Sequence, residues 1–444
     1  MLTGAGFLAL PRMYQESGWI LGISFTVLFT GITAFSCDAF AKACYIYKRN
    51  DGPQLKELTS SAAEDQIVLN AGKMLANITG PTHHSAFLSL GTAALTFLNV
   101  SAIREVSRAL DDIFVLLFGN SGGLTLYPTF EFVASCTKSD SAPGDCDGSD
   151  LFHDAYDNGA VIITAGYCLL CAACIVLCSF RINDTMQKWM YYISLFCLIE
   201  VIIGVSCIGW EGNITPFGSG NFGMILEVQF FTFAIGFVIP VWLSTPGIME
   251  CSEKDTFPPI RDACVSRGIQ FTVFGMMMAL TFKDIDTMSA INLVLDRDND
   301  VDPLTQLCAF ILLATAILPN ILSYTITVKD NLEEDFGSDF ANGAAFVLPW
   351  CSAFLVYFGG SYEPVVNWSS ILLSSYMNFL IPLWLFLMYA RSDTVVTYKV
   401  ADMRQPRLTW LSIVHWVGVL ICVFVIVGGL QGPADVGFGP GRAL

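Results

Sequence analysis

Thr3-Gly4-Ala5-Gly6-Phe7-Leu8-Ala9-Leu10-Pro11 stands at the opening of the chain. Two glycines one residue apart weaken a helix locally, by about 1 kcal/mol each. The residues around them are apolar, as a membrane span requires, but the stretch 2–14 is short against the roughly 20 residues needed to cross. Inside a bilayer, freed backbone N–H and C=O groups are tolerated only where they are buried in protein or line a cavity. The Gly-Ala-Gly break therefore predicts main-chain groups that meet a ligand, with close helix packing as the simpler alternative.

The rest of the sequence makes the bilayer the right solvent for that argument. Of 444 residues, 54% are apolar and 14% are charged, where a soluble domain carries about 25% charged residues. Mean hydropathy is +0.58. One soluble core could not hide so much apolar surface. A cytosolic enzyme, a nucleic-acid binder and a disordered scaffold are all excluded. The net charge of -17 and the pI of 4.5 also argue against nucleic acid as a partner, because phosphate binding needs a basic face. The expected partner is the lipid bilayer, in a multi-pass integral membrane protein of the plasma membrane or of a vacuolar or lysosomal membrane.

Eleven apolar stretches qualify as spans: 2–14, 19–41, 87–118 (interrupted by charge), 159–180, 189–210, 225–248, 269–282, 304–328, 343–360, 368–390 and 408–430. With a cytosolic N-terminus the inner loops hold fifteen Lys and Arg, among them Arg261, Arg267 and Lys329, and the outer side holds five. That bias predicts N-in, C-out. The segment 120–157 is then an outer loop, where an oxidising compartment makes a Cys136–Cys146 disulfide plausible. The sequons at Asn213 and Asn367 also fall outside. Cys171 and Cys174 form a CxxC pair, but in an apolar span they read as small packing residues.

A second break lies in span six, Phe230-Phe231-Thr232-Phe233-Ala234-Ile235-Gly236-Phe237-Val238-Ile239-Pro240, followed by Pro246-Gly247. Spans one and six hold the same place in two five-span halves. Paired interrupted spans in matching positions are the best sequence pointer to a transporter site. Half-helix N-termini would face an anionic group and half-helix C-termini a cation, and an amino acid carries both.

The opening, Gly4-Ala5-Gly6-Phe7-Leu8-Ala9-Leu10-Pro11 with Ser17-Gly18-Trp19, resembles the first motif of the amino acid/auxin permease family. Met249-Glu250, Leu318-Pro319 with Lys329, and Phe379-Leu380-Ile381-Pro382 are similar to later family stretches. The resemblance implies an all-α polytopic fold of the leucine-transporter type: a five-plus-five inverted repeat plus one extra helix. One transmembrane transporter domain would cover 1–444, with 1–210 as first repeat, 211–390 as second, and 391–444 as loop and eleventh helix. It implies amino acid transport by alternating access, coupled to H+ or Na+. The implied substrate site comprises Thr3, Gly4, Ala5, Gly6 and Phe7 of span one with Phe231, Thr232, Phe233 and Gly236 of span six. Two departures stand out. Ala234, Ile235 and Phe237 surround Gly236, where the family has an acidic residue or His, which leaves substrate preference open. Met1 stands three residues before Gly4, so the inner half of span one is missing. That predicts either a start upstream of Met1 or a truncated, inactive form.

Ionisable residues inside spans are functional candidates by default. Glu200 in span five would carry the coupling proton or balance a bound cation, with a structural role as the alternative. The Thr315 hydroxyl in span eight could join span-one carbonyls around Na+. Arg104, Glu105, Arg108, Asp111 and Asp112 sit at helical spacings of three and four, and read as an exposed outer end of span three or as a gate. Asp38 in span two is a lesser candidate. The alternating acids at 296–302 lack the glycine and glutamate of a calcium loop. Four histidines are present, with no HExxH, GxSxG or P-loop, so neither an enzyme nor a bound metal or cofactor is expected beyond the coupling ion. An amino acid sensor with the same fold and little net flux stays open.

Overall fold

The computed structural model describes residues 5–58, 81–136, 161–178, 184–212, 214–218, 222–233, 257–283, 285, 290–295, 301–357, 373 and 375–391. Their order begins with a 3-10 segment (Ala5–Ala9), α1 (Leu10–Ser17), α2 (Trp19–Leu58) and α3 (Pro81–Phe118). Three strands follow, β1 (Asn120–Tyr127), β2 (Glu131–Cys136) and β3 (Val161–Thr164). Next come α4 (Ala165–Cys178), α5 (Asp184–Ile208), α6 (Phe222–Thr232), α7 (Phe257–Thr281) and α8 (Ala290–Leu295). The described chain ends with α9 (Pro303–Ala316), α10 (Leu318–Phe336), α11 (Ser338–Asn342), a π-helical turn (Gly343–Val347), α12 (Leu348–Tyr357), a second π turn (Tyr376–Leu380) and α13 (Ile381–Arg391).

The described residues are mostly helical, in keeping with an integral membrane protein, where no water is present to satisfy the backbone. Among the described residues, four stretches are long and apolar enough to cross a membrane: Trp19–Cys44, Trp189–Ile208, Pro258–Thr281 and Pro303–Glu333. The eleven-span count goes beyond these four, and span 408–430 lies outside the described residues.

Several sequence boundaries are corrected. The region 120–157 is not all loop, and 159–180 is not all helix. β1 pairs antiparallel with both β2 and β3, giving the order β2-β1-β3. The alternating burial of β1 shows why: every second residue from Ser121 to Thr125 turns inward. α3 runs unbroken for 38 residues through the charges that were expected to interrupt it. α7 begins at Phe257 rather than at 269, so Arg261 and Arg267 belong to a helix and not to a loop. Lys329 likewise lies inside α10. The 304–328 span is split at Ile317, after which Pro319 stands in the first turn of α10; proline has no N–H to continue the ladder.

Three contacts position the middle of the molecule. Gly18 ends α1 at φ +84, a conformation open to glycine, and its N–H donates to Tyr14 O at 3.1 Å. α1 then lies on α2 and α7, with the fully buried Tyr14 ring between Gly22 and Gly275. Gln15 reaches from α1 to the end of α7. Its Nε2 donates to the carbonyls of Ala279 (2.9 Å) and Phe282 (2.6 Å), and its Oε1 accepts from Ile285 N (3.2 Å). A helix end leaves orphan carbonyls, and here a side chain of another helix satisfies two of those near the end of α7. Elsewhere α5 packs on α9 and α7, α2 on α7 and α13, and α3 on α10, α4 and α12.

Candidate functional site

From Ala5 onward the opening stretch is not α-helical at first. Ala5–Ala9 forms a 3-10 turn, and α-helix begins only at Leu10, with Pro11 in its first turn. The segment packs on α6 and α7, and Phe7 and Leu8 are buried. The Phe7 ring stacks on Phe271 at 6.3 Å and lies tilted 5.6 Å from Phe274. Phe233 meets Phe271 edge-on at 5.6 Å. Phe29, Phe230 and Phe379 extend this cluster to α2, α6 and the second π turn, with centroids 5.0–6.5 Å apart. Such pairs contribute about 0.5–1.5 kcal/mol each beyond the area they bury. Phe7 of the opening segment and Phe233 at the end of α6 thus both meet Phe271 of α7. Thr3, Gly4 and Gly236 lie outside the described residues; Ala5 and Gly6 open the 3-10 turn, and Phe231 lies in α6.

A polar cluster sits beside these rings. Gln229 Nε2 donates to Thr26 Oγ1 at 2.9 Å and approaches Met13 Sδ at 3.5 Å. Tyr14 OH lies 3.4 Å from the same Thr26 oxygen. Gln229 Oε1 and Thr232 Oγ1 are buried, and neither has a hydrogen-bond partner among the described residues. They stand three residues apart on α6, hence on one face. A buried polar atom left unpaired costs about 1–3 kcal/mol. The sequence reading included Thr232 and missed Gln229, whose signal was a carboxamide in an apolar run.

On the other side of Phe7 is a narrow pocket. Phe7 closes it from the 3-10 segment, Ser194 and Leu198 from α5, Leu312 and Ala316 from α9. The α7 wall is Arg267, Gln270, Phe271 and Phe274. Its cavity volume is about 20 Å³, room for about one water molecule. Arg267 Nη1 donates to Gln270 Oε1 at 3.2 Å, and its guanidinium lies 6.0 Å from the Tyr191 ring centre. Gln270 Nε2 is turned to Ser266 Oγ at 3.2 Å. The sequence reading missed Arg267 as a site residue because it counted it among inner-loop charges.

The remaining site expectations fall into three groups. Near the pocket, Glu200 is half-buried on α5, one turn beyond Cys197, which lies against Cys308 of α9. Thr315 is on the pocket-lining helix α9, and its hydroxyl donates to Ile311 O at 2.7 Å. Away from it, Arg104, Arg108 and Asp111 lie on α3. Asp111 Oδ1 accepts from Ser121 Oγ and from Gly166 N, both at 2.8 Å, so this carboxylate ties β1 and the start of α4 to α3. Asp38 pairs with Lys42 at 2.7 Å. Outside the described residues lie Cys146, Asn213 and Asn367, while Cys136 ends β2. Cys168, Cys171 and Cys174 form no disulfide among the described residues. Among the described residues no group of three His, Cys, Asp or Glu side chains could hold a metal ion.

No protein-family model matches the chain, and no curated protein matches it. The site is a 3-10 segment at Ala5–Ala9, packed on α6 and α7, beside a narrow pocket that is apolar on most sides and cationic on one.

Proposed function

We propose that the chain is a secondary active transporter of amino acids that works by alternating access with H+ or Na+ as coupling ion. The observation that carries this reading is the 3-10 turn at Ala5–Ala9, buried against α6 and α7, with Phe7 forming one wall of the pocket. Irregular backbone at membrane depth is tolerated where it is buried in protein or lines a cavity, and transporters place substrate at such breaks. The unpaired Gln229 Oε1 and Thr232 Oγ1 on α6 support it, since they offer polar groups to a substrate on the span-six side.

In this reading the four long apolar helices belong to a larger set of spans, arranged as the five-plus-five repeat that the permease-like opening motif implies. Phe7 and Phe233 flank the substrate site with Ala5, Gly6 and Thr232. The pocket, now too narrow for an amino acid, widens as the α5–α9 pair and α7 move relative to the opening segment. Glu200 carries the coupling proton or balances a cation, and Thr315 joins it from α9.

Exchange of labelled amino acid across proteoliposomes that contain the purified protein tests the reading. Counterflow above protein-free vesicles is the expected result. Binding without exchange would replace the transporter by a sensor. E200Q is expected to remove the response to a proton gradient and to leave exchange at equal pH intact.

A further inference from the structure

Among the described residues, Arg267 is a charge without a counter-charge. Its guanidinium is always protonated and carries five N–H donors. The one hydrogen bond it makes among the described residues uses a single donor, to the neutral Gln270. It makes no ion pair among the described residues, and the protein around it desolvates it. The Tyr191 ring at 6.0 Å supplies orientation rather than neutralisation. A partly buried charge with no ion pair among the described residues is unfavourable, so an anion that reached it would be stabilised there.

The surroundings say what kind of anion. Ser194 is buried on the facing helix α5 and lines the same pocket, where its hydroxyl can donate. Arg267 and Ser194 therefore present donors to one small space. The other walls, formed by Phe7, Leu198, Phe274 and Leu312, are apolar. A planar oxyanion fits a guanidinium fork through two parallel N–H···O bonds, which a spherical ion cannot accept together. Apolar walls favour an anion that carries hydrocarbon.

We propose that this pocket is a carboxylate subsite, in which Arg267 and Ser194 hold the carboxylate of an organic acid and Phe7 closes over its apolar part. It rests on the transporter reading only for its occupant in the cell, an amino acid passing between the site at the opening segment and one side of the membrane. The shared chemistry is the carboxylate, whether α-carboxylate or side-chain carboxylate.

The test is thermal unfolding of the purified full-length protein titrated with acetate, propionate, alanine, glutamate, ethylamine and chloride, in wild type, R267Q and S194A. Acetate, propionate and both amino acids are expected to raise the unfolding temperature of wild type; ethylamine, which lacks the carboxylate, is not. Losing one partner of an enclosed charge pair weakens binding by about thirtyfold or more, so R267Q is expected to abolish the acetate response. S194A is expected to weaken it by a smaller factor. Stronger stabilisation by glutamate than by alanine assigns the subsite to side-chain carboxylates, and equal stabilisation to the α-carboxylate. No response of wild type to acetate overturns the subsite, as does a response to chloride of the same size or one that R267Q retains. The transporter reading fails separately: acetate stabilisation with no amino acid counterflow removes transport and keeps the subsite, while counterflow without acetate stabilisation does the reverse.

Discussion

Asp111 and Arg267 are both charged residues on long helices, and the protein uses them in opposite ways. The Asp111 carboxylate accepts from Ser121 Oγ and Gly166 N and fixes the junction of α3, β1 and α4. Among the described residues the Arg267 guanidinium has one hydrogen-bond partner, the neutral Gln270, and it opens on a pocket. A charge at depth marks either a joint or a site, and the partners decide which. Where the fold satisfies the group, removing it costs stability. Where the fold leaves it unsatisfied, removing it costs binding and spares the fold.

That contrast can be broken at several points. The largest expected effect is at Asp111. D111A strands a buried hydroxyl and a buried N–H, and is expected to lower stability by about 3 kcal/mol, read as a fall in unfolding temperature; D111N, which keeps an acceptor, is expected to recover part of it. Wild-type stability in D111A would contradict the assignment of Asp111 as a joint.

Next is the packing of the opening segment. A side chain at Gly275 would strike the Tyr14 ring. G275V is expected to cost about 1–3 kcal/mol through overpacking, with counterflow reduced because α1 is displaced. A G275V protein of full stability and activity would show that α1 does not need this contact.

R267Q sharpens the other half of the contrast. Replacing an unpaired charge by a neutral amide is expected to change stability by no more than about 1 kcal/mol, or to raise it, in protein without ligand. A loss as large as that of D111A would make Arg267 a joint as well. The smallest effect is expected at Thr315, whose hydroxyl is returned to its own helix at Ile311 O. T315V is expected to stay within about 0.5 kcal/mol of wild type, so a fall in Na+-stimulated uptake in that variant reports coupling and not folding.

The sequence carried some of this and hid the rest. Long apolar runs such as Trp189–Ile208 were legible because nothing but a span-like helix suits them. The break at the opening was legible because Gly4 and Gly6 weaken a helix next to Pro11. The sheet was not: Asn120-Ser121-Gly122-Gly123 reads as turn chemistry, and its strand character comes from pairing with residues 131–136 and 161–164. The start of α7 was hidden because Arg261 and Arg267 mimic an inner loop under the positive-inside rule. Asp111 was legible as a charged residue but not as a joint, since one of its partners lies 55 residues away. Gln229 was missed because its partner Thr26 is 203 residues away.

In the proposed transport reading, an amino acid passes the pocket between Phe7 and Arg267. The most direct measurement is counterflow in proteoliposomes carrying S194C, before and after treatment with a small thiol reagent, with wild type and its 15 native cysteines as the background. The account predicts that labelling at position 194 blocks exchange in proportion to the fraction labelled, and that substrate slows the labelling. Full labelling with unchanged exchange would contradict it.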